Sequence, residues 1–142
     1  MRFLMMLLML VSFSHAESVK VFVLNGKSGR PLSRASVSVQ LFYDNPAKVT
    51  TPLSLETSPE GSVDFGLPSP LPNHIGVQVS LKYYACECGL MADTKSIVQE
   101  GKLVVFRGQK VKFGITPKPG QITFLPLPFT FIQRLLYPLV KY

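Results

Sequence analysis

The sequence contains no tryptophan, two cysteines, two histidines and eight acidic residues among 142. Each scarcity excludes something. So few thiols and imidazoles leave a four-ligand zinc site without a donor set, since His74 and scattered carboxylates are all that could join Cys86 and Cys88. Without tryptophan and with five tyrosines, the chain is poor in the rings that sugar-binding modules set against sugar faces. There is no glycine-rich phosphate loop, no His-x-x-x-His pair and no serine in a nucleophile elbow. Charged residues make up 16% of the chain against 46% hydrophobic, which argues against a mostly disordered protein. A chain of this length makes one modest domain with a real core, and large multidomain enzymes are excluded.

What is present begins with an export pattern. Arg2 supplies a positive start, residues 3–13 are almost unbroken in apolarity, and Ser14-His15-Ala16 places small residues where a signal peptidase reads. The apolar run is about half the length a bilayer-crossing helix needs. Residues 1–16 are therefore expected to be a cleaved signal peptide, leaving a mature chain that begins at Glu17 and retains His74 as its single histidine. Lys20, Lys27, Arg30, Arg34, Lys48, Lys82 and Lys95 nearly balance the acids up to Glu100, whereas residues 101–142 carry seven bases and no acid. Export makes nucleic acid an improbable partner for that basic excess, and a negatively charged membrane or envelope polymer a better one. A solvated basic face without a specific partner is the plainer reading.

The middle of the chain reads as short strands. Val19, Val21 and Val23 alternate with Lys20 and Phe22, and Asn25-Gly26-Lys27-Ser28-Gly29 supplies turn residues. Ala35, Val37, Val39, Leu41 and Tyr43 share one side of a period-two ribbon, with Ser36, Ser38 and Gln40 on the other. Leu53 and Leu55 mark another short strand, and Ser58-Pro59-Glu60-Gly61 turns the chain into Val63 and Phe65. Ile75, Val77, Val79, Leu81 and Tyr83 alternate with Gly76, Gln78, Ser80 and Lys82 as the clearest strand. His74 is expected in an exposed loop before it. One-sided strands must bury their apolar faces against a second sheet, so the expected fold is all-β, a small antiparallel β-sandwich.

The order of β-forming run, Asn25-Gly26-Lys27-Ser28-Gly29-Arg30-Pro31-Leu32, Ala35-x-Val37-x-Val39 and Thr57-Ser58-Pro59-Glu60-Gly61-Ser62-Val63-x-Phe65 resembles the carboxypeptidase regulatory-like domain family. The resemblance covers residues 19–83 and implies a transthyretin-like sandwich of about seven strands, serving as an exported accessory or structural module without chemistry of its own. The sequence departs from the family after Phe65, where the usual glycine-plus-aromatic closing segment is missing and residues 83–89 stand in its place. A related sandwich, the hydroxyisourate hydrolases, relies on several histidines, an arginine and a C-terminal Tyr-Arg-Gly-Ser. This chain ends in Val140-Lys141-Tyr142. The expected domains are the signal peptide at 1–16, the sandwich at 17–116 and a Pro-rich basic extension at 117–142.

Cys86 and Cys88 flank Glu87. In an exported protein an even cysteine count points to a disulfide, here closing a small strained ring that would be readily reduced. A local structural bridge competes with a redox or metal pair and with pairing to another chain. Further on, Asp93 or Thr94 is placed to cap one turn of helix over 95–100, stopped by Gly101. Residues 103–106 and 111–115 look like a closing hairpin.

The last segment has a different period. Phe129, Ile132, Leu135, Leu136, Leu139 and Val140 fall on one helical face opposite Thr130, Gln133, Arg134 and Lys141, with Pro138 set to kink or end the helix. Its apolar face either covers the sandwich or lies in a membrane surface, with Phe129, Phe131, Ile132, Leu135 and Leu136 as contacts and Arg134 and Lys141 at the headgroups. The expected protein is therefore an exported, periplasmic or cell-surface, non-catalytic binding or structural module of the cell envelope. It needs no cofactor or metal, and its partner is an envelope protein or polymer, with peripheral membrane contact through the tail. The alternatives are a carbohydrate-binding module and a thiol redox protein using Cys86 and Cys88.

Overall fold

The computed structural model describes residues 17–44, 50–85, 88–105, 109, 114–130 and 135–136. Among them the fold is all-β with one short helix. β1 (Ser18–Val23), β2 (Ser36–Phe42), β3 (Leu53–Glu56), β4 (Ser62–Gly66) and β5 (His74–Ser80) follow the period-two segments. β6 (Tyr84–Ala85), β7 (Gly89–Asp93), α1 (Thr94–Gln99), β8 (Lys102–Val105), β9 (Gln121–Leu125) and β10 (Leu127–Pro128) complete the chain. Two four-stranded sheets form, sheet I in the order β4-β1-β9-β8 and sheet II in the order β3-β2-β5-β7, with β6 and β10 as a separate pair.

Alternation decides which face is buried. Val19, Val21 and Val23 of β1 and Ile122 and Phe124 of β9 join Val37, Val39, Ile75, Val77 and Val79 of sheet II in one hydrophobic core. The valines of β1 are fully buried, and Lys20 and Phe22 between them are half-buried on the opposite face. Each such side chain contributes about 1.5 to 3 kcal/mol on burial, so the alternation itself specifies which sides of the two sheets meet. Ile97 of α1, also fully buried, adds a helical residue to the same core. Gly101 ends α1, with its N–H donating to Ile97 O at 2.9 Å and a φ of +78° that a side chain would resist.

Several expectations are corrected. The two sheets already hold eight strands among the described residues, more than the seven or so that the resemblance implies. Sheet I is not purely antiparallel: β9 runs parallel to both β1 and β8. The hairpin expected between residues 103–106 and 111–115 lies largely outside the described residues: 106 and 111–113 are not described, and Gly114 and Ile115 are not in a strand. A parallel neighbour needs a crossover of about a dozen residues or more, and the fifteen residues 106–120 supply it. The sandwich likewise does not end at residue 116, because β9 lies between β1 and β8 and brings Ile122 and Phe124 into the core.

Smaller corrections are local. β5 ends at Ser80 rather than Tyr83, which occupies a turn with φ +67°. His74 is exposed, as expected, but opens β5 and pairs with Phe42 and Asp93 instead of lying in a loop. Asp93 stands at the helix N-cap, yet its side chain makes no capping hydrogen bond.

Candidate functional site

The outward face of sheet II is the complement of its buried face. Strand register aligns Ser38 with Gln78 and Gln78 with Gly89, and in the next row Gln40 with Gly76 and Gly76 with Met91. Two glycines in adjacent rows leave a gap in the side-chain layer, and a trough of about 440 Å³ opens there, lined by Ser38, Gln40, Phe42, Gln78, Gly89 and Met91 among others. Among the described residues nine line it, and none of these is charged.

The two glycines differ in what lies above them. A Cβ on Gly76 would stand 3.0 Å from the Phe42 ring and 3.4 Å from the Met91 methyl, so these side chains lean over that strand. A Cβ on Gly89 would meet nothing within 4 Å, so the trough is open at the β7 side. Met91 is 59% exposed. The Gln40 amide donates to Thr50 O at 3.2 Å. Among the described residues the Gln78 amide and the Ser38 hydroxyl make no hydrogen bond and remain available. Two smaller clefts lie elsewhere. One, of about 220 Å³, separates Phe22 and Leu24 from the crossover residues Gly114, Ile115 and Thr116. The other, of about 260 Å³, sits between Leu71, Pro72 and Asn73 and the start of α1.

The residues singled out from the sequence are dispersed. Cys88 is disulfide-bonded and half-buried, and its carbonyl accepts from Val79 N–H at 2.7 Å immediately before β7. Cys86 lies outside the described residues, as do Phe131, Ile132, Arg134 and Lys141. Phe129 is not in a helix: its N–H donates to Tyr83 O at 2.8 Å, extending the β6–β10 pairing. The prolines at 126 and 128 hold the residues before them, Leu125 and Leu127, in extended backbone, and Phe129 continues that course by its bond to Tyr83. Leu135 and Leu136 are helical in backbone and 60% and 47% exposed.

The trough was missed because its signal is distributed. Ser38, Gln40, Gly76 and Gln78 all stand on the polar side of recognisable strands, but what brings them together is the register of β2, β5 and β7. Among the described residues no three His, Cys, Asp or Glu side chains group as metal ligands, and no helix is long and apolar enough to cross a membrane. Away from the trough, a surface carboxylate is tuned by its turn. A hydrogen bond with Ser58, aided by one within Glu60's own backbone, holds the exposed Glu60 carboxyl below its ordinary value. No protein-family model matches the chain, and no curated protein sequence matches it significantly.

Proposed function

We propose that the chain is an exported, non-catalytic binding or structural module of the cell envelope, periplasmic or at the cell surface, built on a sandwich of carboxypeptidase regulatory-like type. The observation that carries this reading is the trough on sheet II, whose described lining is uncharged and whose Gln78 amide and Ser38 hydroxyl make no hydrogen bond among the described residues. Proton transfer requires a titratable group within hydrogen-bond reach of the reacting atom. Serine, glutamine, phenylalanine and methionine supply hydrogen bonds and apolar contact instead. The export half of the reading rests on Arg2, the apolar residues 3–13 and Ala16.

The test is the intact mass and location of the protein recovered from its native cell. The expected product begins at Glu17 and fractionates with the envelope. A full-length product in the cytoplasm contradicts the reading. Exposure of Leu135 and Leu136 favours a second role for the tail, peripheral contact with a membrane or partner. Liposome flotation of the mature chain beside a form ending at Pro128 decides it: the mature chain is expected to float and the shortened one to sink, and equal flotation of both removes the tail as an anchor.

A further inference from the structure

We propose that the trough on the outer face of sheet II binds a neutral carbohydrate chain, a claim that rests on the binding-module reading and names its ligand class. Three features define the ligand. First, the described lining carries no charge, so among the described residues there is nothing to compensate the desolvation of an ionic ligand. Second, the polar groups that make no hydrogen bond among the described residues are an amide at Gln78 and a hydroxyl at Ser38, each offering donor and acceptor capacity together. A polyol, whose every hydroxyl both donates and accepts, is the complement of such a pair. Third, Phe42 and Met91 meet over Gly76 and form an apolar patch one row away from Gln78 and Ser38. Successive rows on one face of a sheet stand about 7 Å apart. The trough thus sets an apolar platform beside a hydrogen-bonding row, which suits a sugar with its C–H face on one and its hydroxyl edge on the other.

The alternative occupant, an extended peptide added to the free side of β7, would lie in the plane of the sheet and take main-chain hydrogen bonds from the edge. The groups that line the trough stand instead on the face, and Ser38, Gln40 and Phe42 lie on β2, two strands in from β7. A ligand that reaches β2, β5 and β7 together lies across the sheet. Aromatic content alone hid this site: the platform is a phenylalanine, so the absence of tryptophan does not exclude it.

The mature chain is titrated calorimetrically with three neutral probes, hexamers of α-1,4-linked glucose, β-1,4-linked glucose and β-1,4-linked N-acetylglucosamine, at low and high salt. At least one is expected to bind at millimolar Kd or tighter, with little change on adding salt because no charge is involved. Gly89→Ile is expected to abolish binding, since the position is open and in a strand, where a β-branched side chain fits and fills the trough. Gln78→Ala is expected to weaken it about three- to tenfold, the usual net worth of one hydrogen bond. Circular dichroism of both variants verifies the fold. Binding of none of the three probes overturns the assignment, as does full-strength binding by Gly89→Ile or capture of an extended peptide in place of every saccharide. An envelope-located chain beginning at Glu17 that binds no probe refutes the ligand class while sparing the envelope reading. A full-length cytoplasmic chain that binds one does the reverse.

Discussion

Two buried threonines show how one substitution has opposite signs in different surroundings. Thr57 is 4% exposed, and its hydroxyl donates to Leu32 O at 2.7 Å while accepting from Ala35 N–H at 2.9 Å. Thr57→Val strands both partners and is expected to cost about 2 to 3 kcal/mol in urea unfolding. Thr94 is 1% exposed, and its hydroxyl has no hydrogen-bond partner among the described residues. Thr94→Val removes an unsatisfied group without changing the shape, so the same assay should show stability unchanged or raised by about 1 kcal/mol. A loss in Thr94→Val comparable to that in Thr57→Val would contradict this distinction. Neither role was legible in the sequence, because a threonine's burial and partners are set by residues distant along the chain. At the surface, Ser58→Ala should raise the Glu60 pKa toward its ordinary value, read by NMR titration of that carboxyl. Because the bond to Ser58 favours the carboxylate, it is present at neutral pH and lost as pH falls through the depressed pKa. An unmoved titration midpoint in Ser58→Ala would refute Ser58 as the cause.

At the scale of elements, alternation made the inner faces of β1, β2 and β5 legible, since Val19, Val21, Val23, Val37, Val39, Ile75, Val77 and Val79 all point inward at strict period two. Pairing was less legible. Residues 103–106 were recognisable as extended, but nothing local marks the parallel pairing of β8 with β9, which the core decides where Val104 and Phe124 align. Gly101 joins α1 to β8 with φ +78°, and a Cβ there would collide with the Lys118 carbonyl oxygen. Gly101→Ala is therefore expected to cost at least 2 kcal/mol, about 1 to 2 of which comes from the left-handed backbone alone. Chemical unfolding reads it, and an unchanged midpoint would show that the α1 terminus is not held as described.

For the whole molecule, the N-terminal strand is not peripheral. β1 lies between β4 and β9, and Glu17 O accepts from Leu67 N–H at 2.8 Å, so removal of residues 1–16 leaves the described sheet complete. The two sheets commit one face each to the core. Sheet I carries the crossover residues Gly114, Ile115 and Thr116 against Phe22 and Leu24 on its other face, while sheet II leaves the row of Ser38, Gln78 and Gly89 open. That asymmetry underlies the functional reading, which makes the outer face of β2, β5 and β7 the working surface. The most direct test is an amide NMR map of the isotope-labelled mature chain titrated with solubilised polymer from its native envelope. Shifts are expected at Ser38, Gln40, Gly76, Gln78, Gly89 and Met91. Shifts confined to sheet I or to residues 129–142, with this row unmoved, would contradict the account.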